Sequence, residues 1–463
     1  MSARLGCYLP RISQLRVFGP LFDELLARSA GRVEPVVLMP GWPISKRLQQ
    51  PNADWFPAHL RNRMELITLE SPQHLLDLVA KETIQAFVTV CPQIPELNDA
   101  WISRLRAESA QRRIPWIALP YLFSQDDMVV AQPQQMLDRW DVIGTVGPRS
   151  IEHVLRQLDR SGVPAAARDG LRERLTVMGY LELDAVPRLP DPSVLRAKHR
   201  LPLDRPIIFL STAPRLAPLA TGSLLLRGLE QHFCGLNPSS PRDLFGWLLT
   251  AASRTPTPYR HYLRALRRFA DRNDALIVAK SRSKHQDPAY VTAYVDRLIG
   301  DESYYPFTTL ELMRISSLYF GFLSTAALEA IAVGLYSITA AFVPVELTYP
   351  QPASQAWVDW FLRQPGACWN TAGVSALLNG MDGSAEAALE RLANARLHDY
   401  QIDARQRAQF LDRYLSYHGS SGPRTADVLS LTLEQARRGR HRSRDHATPA
   451  DGRSPSLTAS RIA

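Results

Sequence analysis

Residues 320–338 read FGFLSTAALEAIAVGLYSI, and this stretch contains the pattern that decides the fold. It begins as a buried strand, breaks at Ser324 and Thr325, and continues as an apolar helix that Gly334 ends. A strand that passes through a short polar turn into a helix is the unit of a parallel sheet covered by helices. Ligands of such sheets bind beyond the carboxyl ends of the strands, which is where Ser324 is expected to lie.

The predicted helix mouth after Ser324 is suited to binding a phosphate. A helix N-terminus offers unpaired N–H groups and a partial positive charge, and the hydroxyls of Ser324 and Thr325 add further partners. Glu329 follows about one turn later and is expected to face the same cleft, where a carboxylate accepts hydrogen bonds from a ribose or sugar diol. In a second interpretation, Ser324 or Thr325 only caps the helix and Glu329 is a surface residue.

The same alternation of strand and helix extends outward over most of the chain. Several predicted strands are apolar on both faces, which is typical of a parallel sheet covered by helices on both sides. A proline-dense segment between Pro187 and Pro206 separates two such runs and reads as a linker. The strands predicted before it are RLGCYLP, VEPVVLMP, AFVTVCP, IPWIALPYLF and DVIGTVGP, and those after it are IIFLSTAP, ALIVAKS, LYFGFLS and SITAAFVP.

The chain is therefore predicted to be an α/β protein with two Rossmann-like units in tandem. The late segments ARQRAQFLDRYLSYHG and RTADVLSLTLEQARRG are helical by spacing, and the polar end of the chain is expected to be disordered. The predicted parts are a first Rossmann-like domain over 1–185, a second over 186–400, closing helices over 401–436 and a disordered basic tail over 437–463.

Composition narrows the classes of function. The 463 residues are 45% hydrophobic and 21% charged, as in a soluble globular protein. Of the net charge of +9, the segment from Arg437 onward carries +5, with seven arginines against two aspartates. The rest is too mildly basic for nucleic acid to be the expected partner. The tail either touches anionic lipid or only adds solubility.

Compartment and cofactor follow from what the sequence lacks. The four cysteines form no CxxC pair, and Cys7 and Cys91 lie in or beside apolar runs, as buried thiols of a reducing compartment do. Neither a secretory signal nor a run of ~20 apolar residues is recognised. We expect a cytoplasmic protein, at the inner face of the membrane if the tail binds lipid, with no metal site and no cofactor.

Two more predicted strands, IIFLSTAP and ALIVAKS, end in polar residues. Parallel strands bring their carboxyl ends to one edge of a sheet. Lysine and arginine there can neutralise a diphosphate, arginine by a bidentate fork; the alternative is a solvated basic loop. Thr308 or Thr309 is expected to cap a helix and to touch the ligand. The candidate donor-binding residues are Thr212, Arg215, Lys280, Arg282, Thr308, Ser324, Thr325 and Glu329.

These motifs resemble the GT-B-fold transferases, most closely the CDP-glycerol glycerophosphotransferase and capsule polysaccharide group, with UDP-N-acetylglucosamine 2-epimerases as cousins. The resemblance covers roughly residues 171–435 and rests on LRAKHRLPLDRPIIFLSTAPR, ALIVAKSRSKHQDPAY, DESYYPFTTLELMRISS, LYFGFLSTAALEAIAVGLYSI and FLDRYLSYHGSSGPRTADVL. It implies two Rossmann-like domains facing across a cleft. It also implies donor phosphates on Ser324 and Thr325, a ribose or sugar on Glu329, and Lys280 and Arg282 lining the phosphate pocket.

The chain departs from that group at the expected catalytic base. The glycerophosphotransferases have a His-Gly turn after a strand of the first domain, where this chain has WIALPYLFSQDD. Asp126 or Asp127 is a candidate base, since an ionised carboxylate can accept a hydroxyl proton; otherwise the two form an exposed acidic loop. His285 is a candidate replacement for the second histidine of the group. Arg11 and Arg16 either meet an anionic acceptor or lie in a solvated loop.

Three functions remain open at this stage. The first is a metal-independent transferase that moves a sugar or polyol phosphate from a nucleotide-activated donor to a cell-surface glycan or polyol acceptor. The second is a nucleotide-sugar 2-epimerase or hydrolase of the same fold. The third is a degenerate GT-B protein that binds its ligand without catalysis.

Overall fold

The structure is a computed structural model of the whole chain. It describes residues 3–28, 33–42, 52–90, 92, 94, 97–121, 124–212, 259–281, 287, 289–300, 305, 307–322, 324–340, 369–378, 385–416 and 418–445.

A seven-stranded parallel sheet forms the first half of the molecule, with the strand order β3-β2-β1-β4-β5-β6-β7. The order reverses between β1 and β4, which pair directly, so this is a doubly wound sheet with its switch point at β1 and β4. The strands are β1 (Ala3–Tyr8), β2 (Val33–Pro40), β3 (Glu65–Leu69), β4 (Ala86–Val90), β5 (Trp116–Leu119), β6 (Val142–Thr145) and β7 (Leu175–Val177).

Helices connect these strands, and their ends follow ordinary capping chemistry. Ser71 and Asn98 accept the backbone N–H groups of His74 and Trp101 at the starts of two of them, at 3.3 and 3.0 Å. The helices are α1 (Leu15–Arg28), α2 (Ala58–Arg61), α3 (Pro72–Ala80), α4 (Asp99–Arg112), α5 (Ser124–Ala131), α6 (Pro133–Arg139), α7 (Pro148–Arg160) and α8 (Ala165–Arg174).

A 3₁₀ helix over Leu181–Arg188 and the short helix α9 (Pro192–Lys198) lead from the first sheet to the second. The second sheet has six parallel strands in the order β10-β9-β8-β11-β12-β13, with its switch point at β8 and β11. The strands are β8 (Ile207–Ser211), β9 (Leu276–Lys280), β10 (Arg297–Ile299), β11 (Leu318–Phe322), β12 (Tyr336–Ala340) and β13 (Ser375–Leu378).

The second half contains the helices α10 (Tyr259–Arg272), α11 (Thr308–Arg314), α12 (Ala326–Val333) and α13 (Ala385–Asn394), and the chain then continues into α14 (Ala404–Tyr414) and α15 (Ser421–Asp445). Gly334 ends α12 in the left-handed conformation, with φ of +108°, as the sequence predicts. The fold class predicted from the sequence is confirmed: two parallel, doubly wound sheets covered by helices.

The buried core is continuous between the two sheets. One cluster of buried side chains contains Leu5 and Phe18 of the first half together with Phe209 and Leu328 of the second and Leu429 of the last helix. Because the apolar contacts pass from one half to the other, the halves are packed against each other rather than merely linked.

The predicted disorder from residue 437 is wrong for residues 437–445, which continue α15 as far as Asp445. The helix can extend because Leu, Glu, Gln, Ala and Arg dominate its sequence before Gly439, and these are strong helix formers. Residues 446–463 lie outside the described part. Over the described residues, every helix is too short or too polar to cross a bilayer.

Candidate functional site

The polar ends of three neighbouring strands meet at the switch point of the second sheet. Ser211 pairs with Lys280 at the ends of β8 and β9, and Leu210 pairs with Phe320 of β11. Strands lie about 4.8 Å apart, so the end of β9 is about 10 Å from the end of β11. Thr212, Lys280 and Ser324 therefore follow adjacent strands at one edge, as predicted from the sequence.

Thr212 and Lys280 are both buried at this edge. The Thr212 hydroxyl contacts the Lys280 carbonyl oxygen at 3.2 Å and the Asp287 carboxylate at 3.0 Å. Lys280 Nζ donates to the carbonyl oxygen of Ser281 at 2.9 Å, so its ammonium group is turned to the backbone at the end of its own strand. The Asp287 carboxylate thus lies beside the Thr212 hydroxyl at this edge, and the sequence analysis did not single out Asp287.

The Thr325 side chain does not cap the N-terminus of α12, although Thr325 occupies the N-cap position. Thr325 has helical backbone angles, and its side chain makes no capping hydrogen bond. Ser324 Oγ instead accepts the N–H of Ala326, at a long 3.4 Å. The helix spans eight residues and its first turn faces the edge where β8 and β9 end.

Glu329 does not face an open cleft, which corrects both interpretations made from the sequence. Its side chain is buried, with the residue 3% exposed, and the Tyr180 hydroxyl donates to Glu329 Oε1 at 3.0 Å. Tyr180 precedes the 3₁₀ helix between the two sheets. Helix periodicity placed Glu329 one turn into α12 correctly, but the contact with Tyr180 joins residues 149 positions apart and has no local signal.

Tyr180 also connects Glu329 to an ion pair from the first half of the molecule. Its hydroxyl lies 3.5 Å from Glu182 Oε2, and Glu182 Oε1 is 3.1 Å from Arg16 Nε of α1. Arg16 Nη2 donates to the Tyr121 hydroxyl at 3.0 Å. We call Arg16, Tyr180, Glu182 and Glu329 the interdomain network. It ties α1, the linking 3₁₀ helix and α12 into one polar cluster.

Burial and mutual charge set the protonation of this network. Burial raises the pKa of Glu182 to about 7, with Glu329 adding to the rise and Arg16 opposing it. Burial and then the two carboxyl groups raise the pKa of Tyr180 well above its ordinary value, so it is a hydrogen-bond donor. Burial works against the charge of Arg16, but Glu182 and its other neighbours hold its pKa well above the ordinary value.

The side chain of Arg16 is engaged on both sides. Its guanidinium carbon lies 5.5 Å from the centre of the Tyr121 ring and 5.3 Å from that of Phe307, within cation–π range. The residue predicted to meet an anionic acceptor thus lies between aromatic rings of the two halves and pairs with Glu182. Arg11 is the N-cap residue of the 3₁₀ helix Ile12–Gln14.

A second polar contact joins the halves near Gly19 of α1. The Tyr305 hydroxyl donates to Asp23 Oδ2, and Arg188 Nη1 donates to the same oxygen. His59 Nε2 lies 3.0 Å from the other oxygen of Asp23. A Cβ at Gly19 would come within 2.5 Å of the Tyr305 ring, so the ring lies directly on the helix backbone.

Two other predicted candidates occupy helices. Thr308 is the first residue of α11 and is fully buried, whereas Phe307 occupies the N-cap position without a side-chain bond. The prediction that Thr308 caps this helix is therefore wrong, because its backbone is already helical. Asp126 and Asp127 lie in the first turn of α5, not in a loop, and Asp126 is buried.

Several candidates are not described in atomic detail. Arg215, Arg282 and His285 lie outside the described residues, and the side chain of Asp127 does too. Their predicted roles stay predictions. In the described ranges, no group of three or more His, Cys, Asp or Glu side chains is placed to hold a metal ion.

The sequence did contain one signal for the residues that were missed. In GYLELDAVP, residues 179–187, Glu182 and Asp184 stand among apolar residues of the linker. Both are buried, and Asp184 accepts the N–H of Ser421 at 3.1 Å and that of Gly422, at the start of α15. Acidic residues within an apolar linker indicate buried partners, since a carboxylate is rarely buried without them.

The protein is a two-domain α/β protein with two doubly wound parallel sheets that a linker joins. Its C-terminal helices return to the first half, and polar strand ends lie at the switch point of the second sheet. No protein-family model matches the chain, and no curated protein matches it in sequence.

Solved structures do match. The wall teichoic acid polymerase TagF gives a TM-score of 0.52 at 12% identity, over 94% of this chain and 89% of that one. UDP-GlcNAc 2-epimerase from Neisseria meningitidis, bound to UDP-GlcNAc, gives 0.51 at 9% identity, over 93% of this chain and 100% of that one. The chain thus has the GT-B fold, and its structural neighbours come from the two groups that its motifs resemble.

Proposed function

We propose that the protein is a transferase that moves a sugar or a polyol phosphate from a nucleotide-activated donor to a cell-surface glycan or polyol acceptor. The observation that carries the proposal is the meeting of three polar strand ends, at Thr212, Lys280 and Ser324, at the switch point of the second sheet. Support comes from the structural neighbours, of which one is a wall teichoic acid polymerase and another contains UDP-GlcNAc.

In this proposal the donor phosphates bind the N-terminus of α12. Ser324 and Thr325 contribute hydroxyls, and Lys280 and Arg282 contribute positive charge. Thr212, Arg215 and Thr308 line the same edge, and Glu329 binds the ribose or sugar hydroxyls of the donor. Catalysis is positioning together with stabilisation of the negative charge that develops on the leaving phosphate. No metal ion is needed for that chemistry, because the helix N-terminus and the cations provide the positive potential.

The acceptor enters from the carboxyl edge of the first sheet. The acceptor's hydroxyl oxygen forms the new bond to the transferred group. The bond between that group and the nucleotide phosphate breaks, and the phosphate oxygen leaves with the electron pair. A carboxylate of Asp126 or Asp127, or the imidazole of His285, accepts the hydroxyl proton. Of these three groups, the Asp126 carboxyl is in the described part, buried in α5, which suits a base shielded from water.

A cytoplasmic location completes this proposal, with the basic end of α15 at the inner face of the membrane. Five arginines lie between residues 437 and 444, in the part of the helix that follows Leu433, the last residue among those with a described side chain that is buried. Such a segment is attracted to anionic lipid by about 1 kcal/mol per basic residue near the surface. Removing residues 437–463 should release the protein from vesicles that contain phosphatidylserine, while vesicles of phosphatidylcholine alone should bind neither form.

A thermal-shift panel tests the donor site. One nucleotide among UDP, GDP, CMP and CDP should raise the melting temperature at millimolar concentration, because binding to the folded state alone stabilises it. Ser324→Ala should weaken that binding about ten- to hundredfold, as expected for one hydrogen bond to a charged group. Ser316→Ala is the matched control. Ser316 lies just before the N-terminal end of β11, away from the predicted donor site, and its hydroxyl donates to the Leu312 carbonyl oxygen at 2.7 Å.

If none of the four nucleotides shifts the melting temperature, the donor site is wrong. If one of them binds, incubation of the corresponding activated donors with glycan and polyol acceptors separates a transferase from a binding protein. Binding without turnover over the whole panel supports the non-catalytic alternative.

The epimerase or hydrolase alternative has one observation in its favour. Tyr180 links two buried carboxyl groups, and the pKa of one of them, Glu182, is raised to about 7, where it can act as acid or base. An enzyme of this kind turns over a nucleotide sugar without any acceptor. Incubation with UDP-GlcNAc alone, followed by analysis of the product sugar, therefore separates it from the transferase.

A further inference from the structure

In the structure, Glu329 accepts a hydrogen bond from a hydroxyl group of the protein. Under the proposed function, it accepts one from a hydroxyl group of the donor. The Tyr180 hydroxyl donates to Glu329 Oε1 at 3.0 Å, and both residues are buried, at 1% and 3% exposure. A tyrosine hydroxyl and a ribose or sugar hydroxyl are the same kind of donor to a carboxylate. The oxygen that accepts from Tyr180 cannot accept a donor hydroxyl along the same direction at the same time.

Tyr180 is held in this position by contacts from the first half of the molecule. Its hydroxyl is also 3.5 Å from Glu182, which pairs with Arg16 of α1 at 3.1 Å. Arg16 is fixed in turn by its hydrogen bond to Tyr121. Moving Tyr180 away from Glu329 therefore disturbs the contact between α1 and the linking 3₁₀ helix.

A buried carboxylate without hydrogen bonds is costly, and the Tyr180 hydroxyl is one of the groups that bind Glu329. This hydrogen bond orients the α12 carboxylate. Glu329 is 3% exposed, so a donor hydroxyl can reach its carboxylate only if covering groups move, and Tyr180 is one of the groups in contact with it.

We propose that Tyr180 is a gate on Glu329: its hydroxyl binds the carboxylate as seen in the structure and withdraws when the hydroxyls of a nucleotide-activated donor bind there. This inference rests on the proposed function, because it takes Glu329 as the group that binds the donor's diol. Donor binding then breaks the link between Glu329 and the 3₁₀ helix, so that occupancy of the second half loosens its contact with the first.

The test compares nucleotide affinity between wild type and Tyr180→Phe by calorimetry, with UDP, UDP-GlcNAc, CDP and CDP-glycerol as probes. Removing the competing hydroxyl should tighten binding of the recognised nucleotide about ten- to hundredfold, the equivalent of one hydrogen bond to a charged group. Tyr305→Phe is the matched control. It also removes a hydroxyl that joins the two halves through a carboxylate, but that hydroxyl donates to Asp23 and not to Glu329.

A double variant tests whether the gain passes through Glu329. In a Glu329→Ala background, Tyr180→Phe should no longer tighten binding, because the acceptor oxygen for which the Tyr180 hydroxyl and the donor hydroxyl compete is gone. Hydrogen exchange gives an independent readout: the recognised nucleotide should speed exchange in residues 180–188 of wild type, and Tyr180→Phe should exchange fast without it.

The outcomes separate the gate from the proposed function. Binding that is equal or weaker in Tyr180→Phe overturns the gate and leaves the donor site standing. Equal gains in Tyr180→Phe and Tyr305→Phe also overturn it, since they show general loosening between the halves. If no probe binds wild type or any variant, the proposed function fails and the gate fails with it.

Discussion

Glu182 shows how one buried carboxyl group can make stability depend on pH. Its pKa rises from an ordinary 4.5 to about 7 in the folded protein, so the folded state holds the proton more tightly than the unfolded state does. The stability contribution of this group is complete below about pH 4.5 and is lost as the pH rises through 7, a difference of about 3 kcal/mol. Arg16, Tyr180 and Glu329 are the ionisable groups that face it.

Glu182→Gln should therefore flatten this dependence. The amide has the shape of the protonated carboxyl group but does not titrate, so the fall in unfolding free energy between pH 5 and pH 8 should shrink by about 1–3 kcal/mol. Urea unfolding at the two pH values measures it. Glu390→Gln is the control, since Glu390 is exposed and pairs with Arg268 on the surface. Equal falls in wild type and Glu182→Gln would contradict a raised pKa at this site.

For single residues, the sequence predicted the place in the fold better than it predicted which side chain the residue contacts. Ser324 and Lys280 were placed at neighbouring strand ends because strand patterns and parallel topology determine where a strand stops. Tyr180 was not singled out, since its contact with Glu329 depends on how the two halves pack. Local spacing contains no information on such a contact.

Among the elements, helix α1 gives a sharp test of the packing between the halves. Gly19 lies in this helix, and a Cβ there would meet three atoms of the Tyr305 ring at 2.5 to 2.8 Å. Alanine is otherwise favoured over glycine in a helix by about 1 kcal/mol. The clash and the following Pro20 should outweigh that gain, because the ring is fixed by its bond to Asp23.

Gly19→Ala is thus expected to lower the unfolding free energy by about 1–3 kcal/mol. Gly170→Ala in α8 is the matched control, since its Cβ would meet only the end of the Leu137 side chain, at 3.1 Å, which can move. The control should be neutral or up to about 1 kcal/mol more stable. Thermal and urea unfolding of the pair provide the measurement, and equal effects of the two substitutions would show that Tyr305 does not press on α1.

The strands that sequence patterns missed are the outermost ones of both sheets. β3 and β7 end the first sheet, and β10 and β13 end the second. The interior strands β1, β4, β8 and β11 are almost entirely buried and read as apolar runs, whereas β3 and β10 are partly exposed and β7 and β10 have only three residues. An edge strand pairs on one side and needs neither length nor continuous hydrophobicity, so periodicity does not reveal it.

For the whole molecule, the C-terminal helices are the elements that return to the first half. Asp184 of the linker accepts two N–H groups at the start of α15, and Arg28 of α1 donates to Asp427. Ala426, Leu429 and Leu433 are buried in the core cluster that spans both sheets. The sequence predicted closing helices here but not which half they close against, because that depends on tertiary packing.

Two truncations with different end points test this arrangement. A chain that ends at Gly419 loses α15 with two buried leucines and an alanine, and it should be less stable by about 4–6 kcal/mol. A chain that ends at Ala436 keeps all of these buried residues and should melt within about 1 °C of the full chain.

Calorimetry distinguishes the outcomes, because it reports both the melting temperature and the number of transitions. The full chain and the chain ending at Ala436 should each unfold in one transition, since the buried cluster is continuous between the sheets. The chain ending at Gly419 should melt lower and split into two transitions, as each sheet then depends on its own contacts. A single unshifted transition in that chain would show that α15 does not hold the two halves together.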